Sequence, residues 1–295
     1  MSKLYLECYS GISGDMTVGA LLDLGADPAR LASALQSIPA KGFTTKISTV
    51  QKNGVNACDF DVILDAEHEN HDHDMEYLYG KQEGGESAHC CGDHQDEDGH
   101  AHCHDDHHVG GAHAHHHEHR SLQEVNAVIE ATQMEEKAKA LAKKIFLIVA
   151  EAEAKVHGRP LEEVHFHEVG AIDSIVDIIA IAVCYEDLRK KENLTGVIVP
   201  VLYEGRGTVR CQHGVLPVPV PAVTAIAERY GLRFHQIPDE GEFVTPTGAA
   251  AVAALATTRD LPEQYVIRRI GTGAGKRAYR RAGVVRAMIL EEYTA

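Results

Sequence analysis

No stretch of this 295-residue chain approaches the ~18 consecutive apolar residues of a membrane span, and no positively charged leader precedes an apolar run at its start. A cytoplasmic protein without membrane association is therefore expected. Positive charge is scarce, with 28 Lys and Arg against 44 Asp and Glu and a net charge of -16, so phosphate-rich nucleic acid is not an expected partner. Regularly framed cysteines are also missing. The seven present are an odd number at irregular spacing, which excludes a disulfide scaffold and fits a reducing compartment. With 44% hydrophobic and 24% charged residues, the chain has apolar material for one large or two small cores.

What the chain does have is concentrated between Asp65 and Arg120. Fifteen of the twenty histidines lie there, with Cys90, Cys91, Cys103 and fifteen acidic residues, against only Lys81 and Arg120 as basic ones. Neutral imidazole and thiolate are the borderline ligands that Ni²⁺, Cu²⁺, Co²⁺ and Zn²⁺ prefer. His100, His102, Cys103 and His104, then His113, His115, His116 and His117, offer overlapping chelates without the fixed paired spacings of a structural zinc site. Many interchangeable weak sites suit capture and release of a metal. The alternative is an inert, disordered polar insert with adventitious affinity.

The flanking parts have clear organisation. Leu4–Tyr9 reads as a strand, and Ser10-Gly11-Ile12-Ser13-Gly14 leads into a helix from Asp15 to Leu24. A helix over Pro28–Gln36 is followed by strands Phe43–Val50 and Val55–Leu64, hinged at Asn53-Gly54. Beyond the insert, Ser121-Leu122-Gln123-Glu124 has the capping-box form, Met134–Val156 is amphipathic, and a third helix runs from Ala171 to Lys190. Strands are expected at Gly196–Leu202 and Gly207–Cys211, and helices at Pro221–Tyr230 and Thr247–Thr257. Two closing strands, Gln264–Ile270 and Val284–Leu290, flank a Gly-rich turn. The implied fold is α/β, a mixed sheet with flanking helices and a long disordered His-rich insert. Its parts are residues 1–64, the insert 65–120, and 121–295 as the remainder of the same domain.

Four constellations carry the candidate chemistry. In Ser10–Met16, Gly11, Ser13 and Gly14 let backbone amides converge at a helix start, an anion-binding arrangement, although Asp15 would repel a phosphate unless a cation lay between them, and Ser13 or Asp15 is equally readable as a simple helix cap. In Glu163–Gly170, His165 and His167 would share one side of an extended segment and chelate one metal, with Glu168 projecting to the other side; Asp173 and Asp177 follow on one helix face, and a solvated loop is the bland reading. The run Gly271, Thr272, Gly273, Ala274, Gly275, Lys276, Arg277 lacks the glycine and hydroxyl positions of a Walker loop. Together with Arg280 and Arg281 it is still the most basic spot in an acidic chain, and so either an anion site or a tight charged hairpin. Fourth, Val244-Thr245-Pro246-Thr247-Gly248 runs into an Ala-rich helix that Thr245 or Thr247 would cap.

Taken in order, these segments resemble the nickel insertion proteins of nickel-pincer cofactor biosynthesis. Leu6–Met16 with Gly19–Gly25 is similar to that family's opening signature, and the later segments are similar to its other motifs. The resemblance implies insertion of Ni²⁺ into pyridinium-3,5-bisthiocarboxylic acid mononucleotide by a CTP-dependent cyclometallation (CTP with Mg²⁺ or Mn²⁺), for lactate racemase and related apoproteins. On that reading the insert gathers nickel for a fixed site with His165, His167 and Glu168. Asp173, Glu168 and Asp15 are then the candidate acid-base groups, and Gly271, Gly273, Gly275, Lys276 and Arg277, then Gly11, Ser13 and Gly14, the candidate nucleotide-binding residues. The family continues into a C-terminal domain implicated in CTP binding, and the chain is expected to correspond to the part that precedes it and to need a C-terminal polypeptide for turnover. A non-catalytic nickel store or metallochaperone is the competing reading.

Overall fold

The computed structural model describes residues 1–65, 75–79, 120–166, 171–211 and 213–293. β1 (Ser2–Glu7) leads through a short loop into α1 (Gly14–Asp23), then α2 (Pro28–Gln36). The hairpin β2 (Phe43–Lys52) and β3 (Val55–Leu64) turns at Asn53 and Gly54, with φ of 50° and 81°, the left-handed pair that Asn-Gly tolerates best. α3 (Met75–Tyr79) and β4 (Arg120–Ser121) precede α4 (Leu122–Ala131). There the capping box is formed, with the Ser121 hydroxyl accepting from the Glu124 amide and the Glu124 carboxylate accepting from the Ser121 amide at 2.7 Å. α5 (Glu136–His157) ends at Gly158 in the left-handed conformation. A 3-10 turn, β5 (His165–Phe166) and α6 (Ile172–Lys191) follow, then β6 (Val197–Ile198), β7 (Leu202–Arg206), β8 (Thr208–Cys211) and β9 (Gly214–Pro217). The chain closes with α7 (Pro221–Tyr230), β10 (Phe234–Glu240), α8 (Pro246–Leu255), β11 (Tyr265–Ala274) and β12 (Val284–Glu292).

Six strands form one mixed sheet in the order β2-β3-β11-β12-β1-β6. β1 pairs antiparallel with β12 and parallel with β6, while β11 pairs antiparallel with β12 and parallel with β3. Side chains alternate across the sheet: Leu4 and Leu6 enter the main core, whereas Tyr5 joins Ile198, Met288 and Leu290 in a smaller cluster. α1 packs on β11 and β3, α6 packs on α1, and α5 packs on α6, α7 and α8. α6 is buried along most of its length, as its run of Ile, Val and Ala requires, with Lys190 and Lys191 of its basic last turn exposed and Asp173, Ser174 and Asp177 partly so. Each fully buried Ile or Leu of this layer contributes about 1.5–3 kcal/mol.

One expectation is corrected. Gly271 and Gly273 belong to β11, paired with Ala287 and Val285, so the closing turn begins only at Gly275. β12 is an inner strand flanked by β11 and β1. Within the segment 65–120, α3 packs onto the rest of the fold, with Leu78 buried and the Tyr79 hydroxyl 2.8 Å from that of Tyr279. The ligands proposed there, His100, His102, Cys103, His104, His113, His115, His116 and His117, lie outside the described residues.

The glycines of β11 have a packing role. A methyl at Gly273 would stand 2.0 Å from the Met16 carbonyl oxygen, and one at Gly271 would stand 2.2 Å from the Leu24 nitrogen, so helix and strand touch backbone to backbone. Gly273→Ala is accordingly expected to cost about 1–3 kcal/mol in urea unfolding. Gly283→Ala, whose methyl would meet nothing closer than 3.7 Å, is expected to change stability by less than about 0.5 kcal/mol.

Candidate active site

The loop between β1 and α1 is held in place by the segment that precedes α8. The Ile12 amide donates to the Phe243 carbonyl at 2.9 Å, and the Thr245 amide donates to the Ile12 carbonyl at 3.1 Å. Gly11 allows this, since its φ is +76° and a Cβ there would lie 2.0 Å from the Phe243 oxygen. Thr245 caps α8 by accepting from the Gly248 amide, as expected. The first and fourth sequence motifs therefore form one structure.

Ser13 is the N-cap of α1, yet its hydroxyl donates to the Asp15 carboxylate instead of accepting from the helix. The amide of Asp15 donates to the carboxylate of Asp177, which reaches across from α6. Gly14 makes room for it, because a Cβ at this position would lie 2.3 Å from Asp177 Oδ2. Asp177 is half-buried as a residue, with its Oδ1 buried, beside Asp15 and Asp173. Burial pushes its carboxyl well above the ordinary range, the charges of Asp15 and Asp173 push it further, and Lys276 and the helix amide pull it back. Among the described residues, Asp15 Oδ2 and Asp177 Oδ1 are buried polar atoms without a hydrogen-bond partner.

Opposite stands a basic pair. Lys276 Nζ lies 2.5 Å from Asp59 Oδ1 and 3.1 Å from Asp61 Oδ1 of β3. Burial would lower the ammonium, but these two carboxylates hold it above its usual range. Arg277 is paired with Glu242 at 2.5 Å, and Tyr279 donates to the Glu242 carbonyl while stacking on Phe243 at 4.2 Å. Beneath this segment, Glu204 Oε1 accepts from the amides of Gly205 and Phe243 at 2.8 Å each and of Val244 at 3.3 Å. Its burial pushes the carboxyl up to about 7, against the pull of the amides and with Glu242 adding to the rise.

Asp15, Asp173, Asp177, Asp61, Lys276, Arg277, Glu242 and Tyr279 line a cavity of about 370 Å³, with Asp59 and Glu204 behind its wall. Of the residues singled out from the sequence, Ser13, Gly14, Asp15, Asp173, Gly275, Lys276 and Arg277 lie on its wall, whereas Gly11, Gly271 and Gly273 support it from behind. His165 is in β5, paired with Ser121, and His167 and Glu168 lie outside the described residues. The sequence reading missed Asp59, Asp61, Glu204 and Glu242. A signal existed for Glu204, which alternation in β7 places on the inward side with Leu202. It also missed a second group of wall residues, Glu153, His157, Cys211 and His213, on α5 and the β8–β9 hairpin.

The family model described as "Nickel insertion protein" matches residues 4–295. The chain belongs to the nickel insertion protein family. It is 47% identical over 291 residues to the pyridinium-3,5-bisthiocarboxylic acid mononucleotide nickel insertion protein of Alkaliphilus metalliredigens, covering 99% of this chain and 61% of that protein. It is 40% identical to the protein of the same name from Clostridium acetobutylicum, over 99% of this chain and 64% of that one. With the putative nickel insertion protein of Dictyoglomus thermophilum it shares 34%, again over 99% and 61%. The chain thus spans about three-fifths of the length of these nickel insertion proteins. No solved structure matches it.

The state of Glu204 has a measurable consequence. The folded carboxyl keeps its proton up to about pH 7, whereas the unfolded one loses it near 4.5. Stability therefore falls as pH rises through that window, and the group adds no slope below or above it. Glu204→Gln retains an acceptor for the three amides and is expected to flatten this part of the profile when urea unfolding is compared at about pH 5 and about pH 8. An unchanged slope would assign the effect to another group.

Proposed function

We propose that this chain carries out the metal-handling half of nickel insertion into pyridinium-3,5-bisthiocarboxylic acid mononucleotide, with Ni²⁺ and the nucleotide as substrates. The observation that supports this reading best is the cavity, in which buried carboxylates face a lysine across a space suited to a small charged ligand, in a chain whose relatives are named for that reaction. Forming a nickel-carbon bond on the pyridinium ring displaces a ring proton, and a carboxylate made more basic by burial and by two like charges is a suitable acceptor. Asp177, with Asp173 beside it, fills that role. Asp15 holds the amide end of the arrangement.

Lys276 spends two of its three donors on Asp59 and Asp61, which leaves one for a phosphate oxygen of the nucleotide. Arg277 is committed to Glu242 and serves to hold the 242–245 segment in place. On this reading the turn beginning at Gly275 meets the phosphate, and α1's first turn, already given to Asp177, does not. CTP, with Mg²⁺ or Mn²⁺, enters mainly through the C-terminal polypeptide, and lactate racemase apoprotein or a related enzyme receives the product. The histidine-rich stretch gathers nickel ahead of the reaction.

The test is to mix the purified chain with Ni²⁺, CTP, Mg²⁺ and the thiolated nucleotide, with and without the C-terminal polypeptide, and to follow the pincer chromophore. Insertion is expected with the polypeptide present, and Asp177→Asn is expected to slow it by about 100-fold or more with nickel stoichiometry intact. Lys276→Glu is expected to weaken nucleotide affinity and leave nickel binding unchanged. A wild-type rate in the Asp177→Asn variant would remove the proton-acceptor assignment. Nickel binding with no chromophore under any condition would favour the storage reading.

A further inference from the structure

We infer that Cys211, His213, His157 and Glu153 form a second metal site on the cavity wall, a loading position for Ni²⁺ next to the carboxylates that act on the nucleotide. This deepens the nickel-insertion reading and rests on it. The four residues come from separate elements: Glu153 and His157 are one turn apart at the end of α5, Cys211 ends β8, and His213 sits in the turn to β9. All four line the same cavity as Asp173 and Asp177. Their chemistry is that of a late first-row cation, one thiol, two imidazoles and one carboxylate, and differs from the all-oxygen set a Mg²⁺ or Ca²⁺ would choose.

The spacing is close to what coordination demands. Metal-donor bonds of roughly 2.0–2.3 Å in a tetrahedral shell place neighbouring donors roughly 3.3–3.8 Å apart. Cys211 Sγ lies 4.0 Å from His213 Nδ1, and His157 Nε2 lies 3.2 Å from Glu153 Oε2. The two imidazole rings join these pairs, with centroids 5.0 Å apart. Among the described residues no group of three or more such donors is closed around a metal as it stands, so the set is two near-correct pairs that a cation would draw together by side-chain rotation. Coordination would exchange the thiol proton of Cys211 for the cation. Glu153 and His157 already stand within ion-pairing distance, so little movement would bring both onto one cation.

A purely structural role makes a different prediction, since a helix-terminal His157 paired with Glu153 stabilises α5 whether or not a metal is present. The decisive readout is therefore the reactivity of one thiol. Cys211 alkylation by iodoacetamide is followed in the full chain by peptide mass spectrometry, with Cys58 of β3 as the reference thiol. Adding Ni²⁺ is expected to slow Cys211 alkylation about ten-fold relative to Cys58, while Mg²⁺ has no effect, because only a bound thiolate is withdrawn from reaction. The double substitution His157→Gln and His213→Gln is expected to abolish that protection. Unchanged Cys211 reactivity in Ni²⁺, or full protection in the double variant, would overturn the site. Running the chromophore assay on the same samples separates the two ideas: insertion without protection of Cys211 removes this site alone, and protection without insertion keeps the site and removes the insertion reading.

Discussion

The carboxylate of Asp177 is buried at the N-terminus of α1, and much of the surrounding architecture exists to make that tolerable. A buried charge without compensation costs several kcal/mol even after relaxation. Here the compensation is the Asp15 amide, the positive end of the α1 dipole and the field of Lys276. It is incomplete, because Asp15 and Asp173 add like charge, and the group stays more basic than an ordinary aspartate. Gly14 is the geometric condition for all of this, since any side chain there would occupy the carboxylate's place. An acid-base centre and a helix start are thus one object.

A second layer of order surrounds that centre. The Glu204 carboxylate gathers three amides of neighbouring backbone, Arg277 and Tyr279 grip Glu242, and the 242–245 segment in turn pairs with Ile12. Surface ion pairs are worth little, but Arg277 and Glu242 are shielded enough that breaking one partner would leave the other uncompensated. The network therefore fixes the position of the loop that carries Ser13 and Asp15 more than it adds net stability.

How much of this was legible in the sequence follows the range of the forces involved. α2 and α7 run over the expected residues because a proline at the first turn, a local signal, sets where each begins. The Asn53-Gly54 hairpin and the Ser121 capping box are equally local and were equally readable. The glycines of β11 were misread as a flexible turn, since a glycine serves close packing as well as a tight bend and only the helix lying on it decides which. Asp59 and Glu204 escaped notice for the same reason: their partners, Lys276 and the amides of Phe243 and Val244, are far away along the chain. Of the candidate site, Asp15, Asp173, Lys276 and Arg277 were singled out in three separate motifs, which the fold brings to one cavity, while the dominance of Asp177 was visible only once α6 and α1 were seen to touch.

The backbone contact between α1 and β11 also sets how the cavity can move. Glycine-to-backbone packing leaves no side-chain cushion to absorb a displacement, so the helix and strand shift together or not at all. The first turn of α1, whose amide holds Asp177, and the end of β11, which delivers Gly275 and Lys276, lie at the same end of that unit, since a Cβ at Gly275 would stand 2.9 Å from the Met16 sulfur. The acidic and basic walls of the site are therefore carried side by side on one stiff support, and neither slides past the other unless that backbone contact parts.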